Sequence, residues 1–468
     1  MPETKPIKKS LPWIYMVSYA TQSFGTAIQM SFLTVFLTDF MFMSTTMMAT
    51  ILTVTRFFDL VVSMVAGAIV QKSNFRWGQF RSWLLILPTL LFIGNVLCFL
   101  NPPGSPMVQA LTVGVGYLLF NGCMNFLVTA YNGLMTKIVG PNMDARMALS
   151  AKMMQGMNLG TLLTSVMTAP LIKRMVGQNI NGYLILSVIY GIIFFAGCIL
   201  LFNATKEYDQ HDPNAKSASS GVKLTTMYIE TLKNPMVIVL ICTNVLSMLG
   251  MFVMMSMMMY YYIYSIGNMD MQAVAQSISM FVGLGAAFVM PPLGRKLGKK
   301  NSAIVSSLLA VVFMALNAFF ADGNLPMYIV FASLNTIGAA LLGSMGVNLW
   351  LDAAEYQLYK TGKDNRPFAM SLSNVPMKIG MMLSAPLVAV ILGQAGYHQD
   401  AVTRVTTMAD PSRMVMLMFL FTATTSLLNA LIYTFGYRIT DAKAKEYAEH
   451  NQRVMNEKMA AATAAPQE

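Results

Sequence analysis

Apolar runs of about 20 residues or more recur along the chain, each closed by a short polar break. At a rise of about 1.5 Å per residue, such a run crosses a hydrocarbon core of roughly 30 Å as a helix. The pattern predicts spans at 12–38, 45–70, 82–100, 108–136, 149–172, 182–203, 235–264, 271–293, 302–321, 326–352, 368–396 and 412–436. The fold class expected is an all-α integral membrane protein of twelve transmembrane helices. One long polar break interrupts the series, carrying Lys206, Glu207, Asp209, His211, Asp212 and a Ser-rich patch from Ser217 to Ser220. It divides the chain into a six-helix bundle over 1–203, a cytoplasmic central loop over 204–234, a second six-helix bundle over 235–436 and a cytoplasmic tail over 437–468. The Glu- and Ala-rich tail after Asp441 reads as a surface helix. The first apolar run, from Leu11, is far longer than a signal-peptide core and has no small-residue cleavage site, so it is expected to stay as a helix.

Composition sharpens this picture: 56% of residues are hydrophobic and 11% charged, with a mean hydropathy of +0.56. That charge fraction is roughly half that of a soluble domain, which excludes a water-soluble fold. Of the 31 Lys and Arg, all but Lys173, Arg174, Arg404, Arg413 and the intramembrane Arg56 and Lys378 fall on one set of alternate loops, the set that includes both termini. Cytoplasmic loops retain basic residues, so both termini are expected in the cytoplasm. The net charge of +11 is spread over many short loops, which fits anionic lipid and excludes a nucleic-acid face. Cys98, Cys123, Cys198 and Cys242 lie inside apolar runs without CxxC spacing, and His211, His398 and His450 are scattered over loops and tail. Neither a disulfide framework nor a histidine-ligated metal centre is indicated.

Two loops at equivalent positions in the halves carry the same chemistry. After the second span comes Arg76-Trp77-Gly78-Gln79-Phe80-Arg81; after the eighth comes Gly294-Arg295-Lys296-Leu297-Gly298-Lys299-Lys300. Glycines allow tight turns there, and clustered cations can meet helix C-termini or carboxylates that latch one conformation. A basic cytoplasmic loop is also common in itself; recurrence at equivalent positions favours a latch built on Arg76, Gly78, Arg81, Arg295 and Lys296. Two halves of this kind match the architecture in which solute binds near the midplane and rocking exposes it to either side. The partners expected are the bilayer and a small solute, with the protein acting as a monomer.

Charges inside the hydrocarbon are costly, so the few present are candidate functional residues. Arg56 and Asp59 stand at i and i+3 on one helix face, and Lys378 lies deep in the eleventh span. They read either as a permanent ion-pair staple or as a site where Asp59 takes a coupling ion and Arg56 and Lys378 meet solute. Asp352 and Glu355, at the end of the tenth span, read either as gating ion pairs with the run Lys360, Lys363 and Arg366 or as a solvated loop of alternating charge.

Taken in order, Arg56-Phe-Phe-Asp59, Arg76 to Trp83, Tyr131-Asn132-Gly133-Leu134, Tyr260-Tyr261-Tyr262, Asp352 to Lys363 and Lys378-Ile379-Gly380 resemble the glycoside-pentoside-hexuronide:cation symporters, the melibiose permease relatives within the major facilitator superfamily. The resemblance covers nearly the whole chain. It implies the two-bundle major facilitator fold, cation- or proton-coupled symport in a bacterial inner membrane, and a coupling site at Asp59, Ser63 and Asn125. No cofactor is implied beyond Na+ or H+ as coupling ion, and no metal beyond a sodium site. The family's second carboxylate matches Ser63, its amide matches Val62 and its span-four hydroxyl matches Asn125; a lone carboxylate is poor for sodium and suits a proton carrier. The sugar-binding acids match Ser23 and Val128 and the stacking Trp matches Asn132, so galactoside specificity is not carried over. The pocket would draw on Arg56, Lys378, Gln22, Ser23, Tyr131, Asn132, Asn374 and Lys152, with cations that favour a uronide or other organic anion at least as much as a neutral glycoside. Interhelical hydrogen bonding is the alternative role for the polar members.

Two rivals remain open from the residues alone. A polytopic membrane enzyme would need a catalytic constellation, and the sequence has no HExxH, GxSxG, Walker or GxGxxG context. An uncoupled exchanger or exporter of a bulky amphipathic solute would use the same fold.

Overall fold

The structure, a computed structural model, describes residues 8–73, 75–139, 143–176, 181–210, 233–362, 372, 375–400 and 405–464. Among them the chain forms α1 (Leu11–Val35), α2 (Thr45–Lys72), α3 (Trp83–Cys98), α4 (Pro106–Val139), α5 (Met143–Val176), α6 (Gly182–Ala204), α7 (Pro235–Tyr260), α8 (Met271–Leu297), α9 (Lys299–Phe320), α10 (Leu325–Thr361), α11 (Val375–Gln394), α12 (Pro411–Phe435) and a tail helix, α13 (Asp441–Ala464). The first twelve correspond one to one with the apolar runs. Eight of the described helices are long and apolar enough to cross a membrane by length and composition, while α3 and the first part of α8 form shorter apolar helices. Helix starts follow local chemistry: Ser44 accepts from Met47 N at 3.3 Å and Asn324 from Met327 N at 3.2 Å, each satisfying a backbone donor that the first turn leaves open.

Two features have no counterpart in the hydropathy pattern. α1 and α7 each end in a π-helical turn, Phe36–Phe40 and Tyr261–Ser265. Between α11 and α12 lies an antiparallel hairpin, β1 (Tyr397–Asp400) and β2 (Val405–Met408), in the register Tyr397 to Met408 and Asp400 to Val405.

The chain groups into two compact units. Unit 1 is 1–219 with 255–277 and 385–414; unit 2 is 220–254, 278–384 and 415–468. Unit 1 therefore holds α1–α6 together with the π turn after α7 and the hairpin. Its core joins α1, α3, α4 and α6 through Tyr15, Leu87, Leu91, Phe120, Leu127 and Phe194. In unit 2, Leu349, Trp350, Ala353 and Tyr433 form the core, with Ala444 of the tail helix packed into it.

α1 and α5 approach closely because α5 offers glycine where they meet. A Cβ at Gly160 would stand 2.2 Å from Ala20 O, and one at Gly156 only 2.0 Å from Met16 O. Small residues at such a contact let helix backbones pack where lipid supplies no hydrophobic drive. Gly160→Val is expected to cost roughly 1–3 kcal/mol of overpacking strain, read as lower yield and melting temperature of the purified protein. Gly393→Ala, where the space is open, should leave both unchanged.

Candidate functional site

Arg56 and Asp59 face α4 from α2 and are 8% and 1% exposed. Arg56 Nε donates to the Tyr117 hydroxyl at 3.0 Å, and Asn125 Nδ2 donates to Asp59 Oδ1 at 2.6 Å. Tyr117, Asn121 and Asn125 recur every fourth residue, so α4 presents them along one face. The polar chain continues inward: Asn121 reaches Gln29 Oε1 at 3.5 Å, and Gln29 Nε2 points to Cys98 Sγ at 3.3 Å. Two buried charges on α2 are thereby joined to α1, α3 and α4 through amides and a phenol. Tyr117, Asn121 and Gln29 escape a search for charged residues; the four-residue spacing of polar groups in an apolar helix is the signal that finds them. Ser63, one turn beyond Asp59, donates to Leu60 O at 2.7 Å and so serves its own helix.

The remaining solute-site candidates fall in several places. Ser23 is buried and donates to Met157 O at 3.2 Å, tying α1 to α5, while Gln22 beside it is half-buried. Tyr131 is fully buried between α1, α4 and α6, with its hydroxyl 2.6 Å from Ser18 Oγ and 3.6 Å from Cys198 Sγ. Asn132, next along α4, is exposed. Lys152 stacks its ammonium 3.8 Å over the Trp13 ring and donates to Gln155 Oε1 at 3.0 Å. Lys378 is half-buried on α11 in unit 2, and Asn374 lies outside the described residues.

The loop after α2 is organised by a residue that the sequence leaves inconspicuous. Asp209, just past α6, is fully buried and accepts from three successive backbone N–H groups: Gln79 at 3.3 Å, Phe80 at 2.7 Å and Arg81 at 2.7 Å. Lys137 from the end of α4 closes the cradle with a 2.7 Å ion pair. Gly78 makes this possible. Its φ is +114°, and a Cβ would fall 2.5 Å from Asp209 O. Arg81 turns its side chain away, stacking 3.8 Å over the Phe202 ring. Burial draws the Arg81 pKa down while Asp209 holds it up; a guanidinium stays charged under both. Arg76 is exposed at the tip of the loop.

Unit 2 uses the same parts in another arrangement. Lys299 N, at the start of α9, lies 3.3 Å from Asp441 Oδ2, and Lys299 Nζ pairs with Asp352 at 2.6 Å. Asp352 is thus held by Lys299, while α10 continues as a helix to Thr361 and places Lys360 5.9 Å over the Tyr356 ring. Lys363 and Arg366 lie outside the described residues. Glu355 accepts from Asn451 of the tail helix at 2.6 Å. Arg295 and Lys296 are exposed.

A half-buried acid sits where an apolar run ends, a place where charge is ordinary. Asp39, in the π turn after α1, accepts from Thr38 Oγ1 at 2.8 Å, from Tyr264 at 2.9 Å and from Tyr397 in a short hydrogen bond. Gln399 of the hairpin donates to Thr38 O and Met43 O, both at 2.9 Å. Both π turns and the hairpin are thereby clasped together within unit 1.

A helical scaffold of this kind, with paired charges buried inside a span and basic loops stapled at its ends, is that of a multi-pass membrane carrier and not of an enzyme. The chain belongs to the MFS/sugar transport protein family, whose profile matches residues 14–441. It is 25% identical over 452 residues to the glucuronide carrier protein homolog of Escherichia coli, covering 94% of this chain and 95% of the relative. The isoprimeverose transporter of Lactiplantibacillus pentosus is 23% identical over 411 residues, covering 85% and 84%. Among solved structures, a D-xylose-proton symporter superposes with a TM-score of 0.65 at 14% identity over 92% of this chain and 98% of that one. The bacterial homolog of the lysosomal transporter Spinster gives 0.66 at 12% over 92% and 96%; these two likenesses carry the fold alone. The protein is accordingly a secondary transporter that moves a small organic solute across a membrane.

Proposed function

We propose that the solute is a glycoside of the uronide type, or a related organic anion, carried together with a proton across a bacterial cytoplasmic membrane. The protein works as a monomer with both termini in the cytoplasm. The observation that carries this reading is the Asp59 carboxylate, 1% exposed and receiving the Asn125 amide at 2.6 Å. Sodium wants several oxygen ligands. Asn125 presents N–H to Asp59 and Ser63 is spent on its own helix, a setting that suits a proton better than a metal ion. Arg56, beside Asp59, gives a cation that an anionic solute can meet, and Lys378 is a second such cation. The likeness to a glucuronide carrier homolog supports the same solute class, and the confinement of basic residues to alternate loops supports the orientation.

The test is uptake of a radiolabelled aryl glucuronide into proteoliposomes. Saturable uptake and counterflow are expected, driven by an imposed pH gradient and indifferent to a sodium gradient. Lys378→Ala is expected to raise KM about tenfold, as loss of a charge-assisted hydrogen bond does. Uptake that follows sodium would remove the proton, and unchanged kinetics in Lys378→Ala at equal expression would remove that residue from the site.

A further inference from the structure

We infer that unit 2 contains a separate binding site for an uncharged amphipathic molecule, one that pairs an apolar body with hydroxyl groups. A cavity of about 640 Å³ lies between α7, α9, α10 and α12, bounded entirely by residues of unit 2 and by no Asp, Glu, Lys or Arg. Its volume is in the range of small-molecule sites. Met248, Met251 and Met314 give it a soft apolar wall that adapts to irregular shapes.

Several of the hydroxyls around it are spent on backbone carbonyls. Ser306 donates to Gly338 O, Ser307 to Ala303 O, Thr425 to Thr422 O and Ser426 to Thr422 O. Asn244 gives one amide hydrogen to Leu240 O, and Asn429 gives one to Ser247 Oγ at 2.8 Å. Asn244 and Asn429 each keep a second amide N–H and Asn335 brings a further amide, so the lining offers donors as well as acceptors. An anion would find no cation there to balance it. Charge is therefore excluded, the opposite of the chemistry around Arg56, so this inference does not rest on the proposed uronide.

Trp350, 5% exposed, forms part of the wall and supplies the readout. The probe is 4-bromophenyl β-D-glucoside, whose bromine quenches indole fluorescence, added to the intact chain in detergent. Saturable quenching is expected, lost in Trp350→Phe, with 4-bromophenyl β-D-glucuronide at least tenfold weaker. Gly343 and Gly346 line the cavity, and a Cβ at either meets nothing within 4 Å. Gly343→Phe and Gly346→Leu would extend a side chain from that open position, and each should weaken the glucoside at least tenfold while the protein still melts cooperatively. A second measurement, the rise in melting temperature of the chain with glucoside, should vanish in whichever filled variant folds. Quenching that does not saturate, that survives in the filled variants, or that the glucuronide matches would overturn the site. Each of these readouts is independent of proton-driven uptake, so failure here leaves the transport reading untouched and the reverse holds.

Discussion

Asp209→Ala is expected to destabilise the protein by about 3–5 kcal/mol, because it strips a buried acceptor from three backbone donors and a lysine at once. The N–H groups of Gln79, Phe80 and Arg81 all point at that carboxylate, and Lys137 pairs with it. Alanine offers none of them a replacement. Asp209→Asn keeps an acceptor oxygen and loses the charge, so its cost should be about half. Gly78→Ala should resemble Asp209→Ala, since its φ of +114° and the 2.5 Å approach of Asp209 O both resist a side chain. Thermal unfolding of purified protein, together with the monodisperse yield, measures all three. An Asp209→Ala protein with the wild-type melting temperature would show that water fills the cradle at no cost.

Asp59→Asn is expected to abolish concentrative uptake while sparing exchange. For one proton per solute, a pH gradient of one unit is worth about 1.4 kcal/mol and supports about tenfold accumulation. An amide in place of the carboxylate cannot take up or release the proton, and accumulation should fall to simple equilibration. Counterflow needs only that the loaded carrier reorient, and it should persist. The amide is nearly isosteric and can still hydrogen-bond Asn125, so loss of fold is not the expected cause of failure. Full accumulation in Asp59→Asn, with the pH gradient as sole driving force, would remove Asp59 as the coupling group.

The twelve helices were legible because a run of 20 apolar residues has few other stable fates than to span a bilayer. Their ends were less so. α10 runs on to Thr361, nine residues past the predicted boundary, since Asp352 to Thr361 is a good helix former whose polar residues take it out of the apolar count. The hairpin was missed because four-residue strands such as Tyr397–Asp400 are too short to give a clear alternation. Arg56, Asp59 and Lys378 stood out because they interrupt apolar runs. Asp39 and Asp209 did not, because charge is ordinary at the end of a span or in a loop. Their roles depend on partners brought back from far along the chain, and no local pattern encodes that. Tyr131 carries a polar tip within an apolar helix, and Ser18 and Cys198 hold that tip.

The clasp on Asp39 also bears on how the protein is made. Its acceptor is near the start of the chain, yet Tyr397 and Gln399 lie more than 350 residues later. During synthesis the earlier helices enter the membrane first, and this acid then has Thr38 beside it but neither Tyr264 nor the hairpin. Only when the ribosome has passed the eleventh helix do all of those groups exist, so this clasp is completed late, and a nascent chain stalled before residue 397 carries it unfastened.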